Sequence, residues 1–249
     1  MDGAAQIVPG VFGLGSGLVN WYLVEDGGRL TAVDAGLPGF GGRLEQDLEV
    51  IGHGLGDVEA VVLTHSDADH TGVASRFQAA GARVLIHAGD DATLRRPGPK
   101  GGDASPIHLV PHMWRPRFWR FFGYMARQGG GRPPKIEGAE TFADGDVLDV
   151  PGAPRVVHTP GHTDGHSVLL FSGRGALFVG DELCTWNPLT GRTGPQVMPS
   201  AFNLSTAGCF ESLGAIEALE AGVVLAGHGS PWRGGPGEAV AQAREAGRS

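Results

Sequence analysis

The chain has 249 residues, enough for one sizeable domain, and at its mass of 25.8 kDa about 72% of the unfolded surface could be buried without help from a disulfide or metal. Nineteen Lys and Arg against twenty-seven Asp and Glu give a formal charge of −8, which opposes binding nucleic acid or anionic membrane through a general positive field. Two cysteines, Cys184 and Cys209, do not make a disulfide framework, the first ten residues do not read as a signal peptide, and no apolar run reaches a membrane span; a cytoplasmic protein is expected. Of the basic residues only Lys100 and Lys135 are lysines, and ten histidines stand out in so acidic a chain.

From Ile7 to Ala35 short apolar runs separated by glycines, with Glu25-Asp26-Gly27-Gly28 as a turn, predict an antiparallel meander. Leu44, Leu48 and Ile51 lie at helical spacing, Val58 to Leu63 reads as a buried strand, and a helix over 72–80 followed by a strand over 83–87 continues an α/β alternation. Residues 88–111 read as a loop. The aromatic segment 112–127 fits either a lid over a cleft or an amphipathic helix packed on the core. Further on, 141–150, 155–159, 167–172 and 176–179 are β-like, 213–219 helical, 223–225 a strand and 238–246 a closing helix. The stretch 182–203 carries several turn signals and little periodicity, and reads as an active-site loop.

The chemistry concentrates at strand ends. Thr64-His65-Ser66-Asp67-Ala68-Asp69-His70 places four potential metal ligands in six residues, and His162, Asp181 and His228 each follow a strand-like run and a glycine. Through Thr64 to His70, Gly161-His162, Gly180-Asp181 and Gly227-His228 the sequence resembles the metallo-β-lactamase-fold hydrolases over about residues 7–235, with Asp34 similar to that family's early strand-end acid. The resemblance implies one domain over 1–249, an α/β four-layer αβ/βα sandwich of two mixed sheets with helices on the outer faces, and an aromatic-rich insertion at about 108–135. It implies two divalent ions, zinc in the first place and Mn or Fe otherwise, with site one made by His65, Asp67 and His162, site two by Asp69, His70 and His228, and Asp181 bridging.

Asp67 stands where the family's run has a histidine. It either ligates, making the site more anionic and harder, or turns away and leaves site one poorly filled. The implied reaction is attack by a metal-bridging hydroxide on a carbonyl ester, lactone or thioester, with Asp69 orienting the nucleophile and shuttling its proton. His166 is expected to hydrogen-bond a ligand. Trp114, Phe118, Trp186 and Asn187 are the candidates for substrate contact. A small-molecule substrate is expected, with neither nucleic acid nor stable membrane insertion, and a homodimer is compatible with the chain. The alternatives are a phosphodiesterase, a β-lactamase-like amide hydrolase and a non-hydrolytic di-iron protein.

Overall fold

The computed structural model describes residues 3–132 and 134–249. The amino-terminal half forms a seven-stranded sheet in chain order: β1 (Ala5–Val8), β2 (Val11–Gly15), β3 (Asn20–Asp26), β4 (Arg29–Val33), β5 (Val58–Val62), β6 (Arg83–His87) and β7 (Glu140–Phe142). β1 to β4 are the antiparallel meander, and β4 to β7 run parallel, so each needs a crossover. The β3–β4 turn places Gly27 and Gly28 at φ 59° and 78°, the pair of positive angles that a tight hairpin matching the strand twist demands. The second half supplies a four-stranded sheet, β8 (Arg155–His158), β9 (Ser167–Phe171), β10 (Ala176–Gly180) and β13 (Val223–Ala226), in the order β13-β10-β9-β8. β11 (Leu183–Trp186) and β12 (Thr193–Val197) form a separate hairpin.

Alternation along the strands sorts the core into three slabs. Val11, Val24, Val33 and Val62 from the first sheet meet Leu169, Phe171, Phe178 and Leu225 from the second, forming the central slab. The opposite face of the first sheet, with Trp21, Leu23, Val61 and Ile86, is covered by α1 (Leu44–Val50) and α2 (Ala74–Ala79) through Leu44, Leu48 and Phe77. Leu170, Leu177, Val179 and Val224 face α5 (Thr206–Glu217) and α6 (Gly235–Ala246) through Cys209, Leu213, Ile216 and Val240. Helix, sheet, sheet, helix is the expected four-layer sandwich. No helix among the described residues is long and apolar enough to cross a membrane.

Four element boundaries differ from the sequence reading. The 88–111 stretch contains a short helix, α3 (Asp91–Arg95), and a 3-10 segment over Pro106–His112. Of 141–150 only the start joins the sheet ladder, with Val147 making an isolated bridge to Arg155. α5 begins seven residues before the expected 213, capped by the Ser205 hydroxyl accepting from the Gly208 amide at 3.0 Å; Thr206, Gly208 and Gly214 are poor helix formers, and packing overrides them. The segment expected as an irregular active-site loop, 182–203, is largely the β11–β12 hairpin. Its second strand contains Pro195, which donates nothing to a ladder and hides the strand from sequence patterning.

Candidate metal centre

The first ligand run begins at Thr64, two residues beyond the end of β5, and its geometry is set by Asp34 at the end of β4. Asp34 sits at φ 60°, a left-handed backbone that aspartate tolerates better than most residues, and this turns its carboxylate under the neighbouring strand end. Asp34 Oδ1 accepts from the Thr64 amide at 2.8 Å, and Oδ2 accepts from the Thr64 hydroxyl at 2.9 Å and from His70 Nδ1 at 2.8 Å. With its proton directed to Asp34, the Thr64 oxygen accepts from His65 Nδ1 at 2.9 Å. Asp90 ties this run to the second half of the chain: its buried carboxylate accepts from the Ser66 amide (2.9 Å), the Thr163 hydroxyl (2.8 Å) and the Gly165 amide (2.7 Å).

The remaining histidines are held the same way. His162, beyond β8, donates from Nδ1 to Asn203 Oδ1 at 2.9 Å, and Asn203 is oriented by donating from its own amide to the Met198 carbonyl at 2.8 Å. His228, beyond β13, donates from Nδ1 to the Leu18 carbonyl. Each of the four rings therefore spends Nδ1 on the protein and turns Nε2 inward, the tautomer that divalent-metal sites use.

Into that space project three carboxylates. Asp181, at the end of β10, has Oδ1 3.4 Å from His70 Nε2, and Oδ2 3.1 Å from His228 Nε2 and 3.8 Å from His162 Nε2. Asp67 Oδ2 is 3.0 Å from His162 Nε2 and 3.7 Å from His65 Nε2; Asp69 Oδ2 is 3.5 Å from His228 Nε2. Three sets of ligand atoms, His65/Asp67/His162, His65/His70/Asp181 and Asp69/His70/His228, each lie within 4.8 Å of one another. Gly227 makes the approach feasible, since a Cβ there would stand 2.3 Å from Asp181 Oδ1 and 2.5 Å from His70 Cε1.

The electrostatics follow from burial and crowding. Burial, reinforced by neighbouring imidazoles, holds His65 and His166 well below the ordinary histidine range. Burial also opposes charge on His70 and His228, but the Asp181 carboxylate outweighs it, with Asp34 adding to His70 and Asp69 to His228; His70 is pushed well up and His228 up to about 9. The same pairing keeps Asp181 well below the carboxylate range against a burial effect of opposite sign, chiefly through His228 and then His70.

The donor set fits a pair of divalent ions. His65 Nε2, His70 Nε2 and Asp181 Oδ1 are buried and have no hydrogen-bond partner among the described residues, an expensive condition for polar atoms unless an ion completes it. Four imidazoles with three carboxylates suit zinc, and tolerate Mn or Fe.

All seven sequence-predicted ligands are thus brought together, and Asp67 points inward. His166 donates from Nδ1 to Thr159 Oγ1 at 2.9 Å and accepts at Nε2 from the Asp181 amide at 3.2 Å, so it supports the backbone of Asp181 and touches no other ligand by hydrogen bond. The predicted substrate contacts fall elsewhere. Trp114 is 76% exposed, lying before the helix α4 (Pro116–Arg127) that Pro116 initiates. Phe118 packs on Trp119 and Phe122, and Trp186 belongs to β11, in ring contact with Phe121. Asn187 is a buried turn residue accepting from the Leu189 and Thr190 amides. The cavity of about 340 Å³ over the cluster is floored by Asp67, Asp69, His162, Asp181 and His228, and walled by Phe121, Phe122, Met125, Met198 and Phe202. The aromatic helix therefore packs and roofs the site at once. Asn203, Asp90 and Lys100, whose ammonium lies 2.6 Å from Asp67 Oδ2, are site residues the sequence reading passed over; an isolated lysine in an arginine-rich chain was the one available signal.

The profile of the metallo-beta-lactamase superfamily matches residues 14–228. A Bacillus subtilis (strain 168) protein, YobT, is 30% identical over 177 residues, covering 66% of this chain and 61% of that protein, so the alignment spans less than two thirds of the relative's length. The crystal structure of the metallo-beta-lactamase family protein TTHA1429 from Thermus thermophilus superposes with a TM-score of 0.66 at 26% identity, covering 97% of this chain and 79% of that one. A Cronobacter sakazakii metallo-beta-lactamase with a HARLDQ motif superposes with a TM-score of 0.68 at 19% identity, over 98% and 92% of the two chains, a likeness of fold.

Proposed function

The chain belongs to the metallo-beta-lactamase superfamily of metal-dependent hydrolases, and within it we propose a dinuclear enzyme that cleaves a carbonyl ester, lactone or thioester bearing an apolar acyl group. The observation that carries this reading is the shared tautomer: four Nδ1 atoms committed to protein acceptors, and four Nε2 atoms converging with Asp67, Asp69 and Asp181. His65, Asp67 and His162 would hold one ion, Asp69, His70 and His228 the other, with Asp181 reaching both; zinc suits the imidazole-rich set. Two such ions supply Lewis-acid activation of water and of a carbonyl oxygen.

This chain's residues do the rest. Asp69 is partly buried at the cavity floor, in position to accept the proton of an attacking water and pass it to the leaving group. Phe121, Phe122, Met125 and Phe202 exclude water and bury the acyl portion. A phosphodiester is disfavoured, because the described lining offers no arginine to its oxygens.

The test is metal analysis together with a panel of acyl ester, lactone, thioester, β-lactam and phosphodiester substrates. Expected are about two equivalents of zinc, EDTA-sensitive hydrolysis, and a preference for apolar acyl esters, lactones or thioesters. Equal hydrolysis by EDTA-treated and untreated protein would overturn the metal reading; preference for the phosphodiester would overturn the substrate class.

A further inference from the structure

Lys100 reaches into the centre from a loop outside the ligand runs. Its Nζ donates to Asp67 Oδ2 at 2.6 Å, to the Phe202 carbonyl at 2.9 Å and to His162 Nε2 at 3.1 Å, so all three ammonium donors have acceptors. The neutral His162 ring accepts from Lys100 at Nε2; the same nitrogen lies 3.0 Å from Asp67 Oδ2, to which it would donate if protonated. Nδ1 of that ring is occupied by Asn203, whose own orientation is fixed through Met198, so Nε2 presents a lone pair.

That lone pair and Asp67 Oδ2 are two of the three donor atoms of the His65/Asp67/His162 set. An imidazole nitrogen has one lone pair, which cannot serve an ammonium and a dication together, and two cations drawn to the same carboxylate oxygen also repel. The placement is built into the fold. Asp103 donates from its amide to the Leu204 carbonyl at 3.0 Å and accepts from the Thr206 amide at 2.9 Å, while Gly102, at φ 64°, lies where a Cβ would be 1.8 Å from that Leu204 carbonyl. The Leu204 amide in turn donates to the His162 carbonyl at 3.1 Å, so the lysine loop and the ligand loop are fastened to one segment. Beside Lys100 a second, polar cavity of about 320 Å³, with Asp90, Arg96 and Asp164 in its wall, gives the side chain somewhere to go.

We infer that Lys100 is an internal competitor for site one, so that the two metal sites fill unequally: site two first, and site one only as the Lys100 side chain is displaced. This rests on the dinuclear reading above. Its test is a zinc titration of metal-free protein, followed by calorimetry and by competition with a chromophoric chelator, for the wild type, Lys100→Met and Lys100→Gln. The wild type should bind one tight and one weaker equivalent, and either neutral variant should tighten the second by on the order of 10–100-fold, the range over which residues around a ligand tune metal affinity. In a His228→Ala background, which cripples site two, the same substitutions should tighten the remaining equivalent. Two equally tight equivalents in the wild type, or an unchanged second equivalent in both neutral variants, overturn the inference while leaving the dinuclear centre standing. Absence of zinc binding in every form overturns the dinuclear reading and the inference with it.

Discussion

Asp34→Asn is the sharpest probe of how the fold sets the chemistry of the centre. Asparagine tolerates the φ of 60° found at this position, so the backbone should not respond, and the change is confined to the side chain. The two carboxylate oxygens receive the Thr64 amide, the Thr64 hydroxyl and His70 Nδ1, all within 3.0 Å. An amide replaces one acceptor oxygen by a donor. Either its NH2 faces the Thr64 N–H, or it faces His70 and forces the proton from Nδ1 to Nε2, the nitrogen that must carry a lone pair toward the metal. Both arrangements leave an unpaired buried donor or the wrong tautomer. The expected loss is about 10–100-fold in zinc affinity, equivalent to about 1.4–2.7 kcal/mol. A further ~2 kcal/mol of stability should go with the broken charged hydrogen bond, lowering the melting temperature by roughly 4–8 °C for a chain of this size. Chelator competition reads the first quantity and circular dichroism the second. A folded Asp34→Asn protein with wild-type zinc affinity would refute the argument that Asp34 selects the His70 tautomer.

Asp69→Ala should abolish hydrolysis and lower bound zinc, as read by turnover on the best ester and by elemental analysis; a fully active variant removes Asp69 from both roles. Asp90→Ala strands the Ser66, Thr163 and Gly165 donors and should cost roughly 3–4 kcal/mol, a melting temperature lower by about 10 °C, and a shift below about 2 °C would show that the two ligand loops do not depend on this bolt. Truncating Phe122 or Phe202 to Ala should raise KM for a medium-chain acyl ester about ten-fold and leave kcat for an acetyl ester within about two-fold, because only the longer chain reaches that wall; equal effects on both esters would place the acyl group elsewhere. The Asp103 carboxyl is held below its ordinary value, first by the bond from the Thr206 amide. Because the folded value is depressed, its contribution is complete above the unfolded pKa near ~3.9 and is lost as pH falls through the folded value. Urea titrations should therefore show Asp103→Ala less stable than wild type at about pH 6, with the gap closing below about pH 4; a gap independent of pH would mean that the carboxylate charge contributes nothing.

The candidate ligands were legible in the sequence because the fold displays such residues in a regular way. Parallel strands end at one edge of each sheet, and the residues just beyond β5, β8, β10 and β13 are the ones whose side chains can meet there. What orients them was not legible. Asp34 reaches His70 across 36 residues, Asn203 reaches His162 across 41, and Asp90 reaches Gly165 across 75, and no local period marks such pairs. The substrate wall failed for a different reason. A segment with Trp114, Phe118, Trp119, Phe121, Phe122 and Met125 offers several apolar faces, and only tertiary packing decides that Phe121, Phe122 and Met125 turn to the cavity while Trp119 stays exposed.

Asp67 and Lys100 join the legible part to the hidden part. Against the histidine of the family's run, Asp67 alone would add a negative charge to a centre already holding Asp69 and Asp181, and would bury part of it beside His65 and His162. Burial works to raise the Asp67 carboxyl, yet the Lys100 ammonium and the His162 contact hold it well below the usual carboxylate range. Aspartate with lysine thus carries the same net charge as the neutral imidazole it stands in for, and the exchange is neutral in charge though not in function. A histidine offers one lone pair to one partner at a time, whereas a carboxylate has several and can be shared between a metal and an ammonium. Taken alone, Asp67 bears on the hardness of site one and on whether it fills; with Lys100 beside it, the same residue bears on when that site is filled.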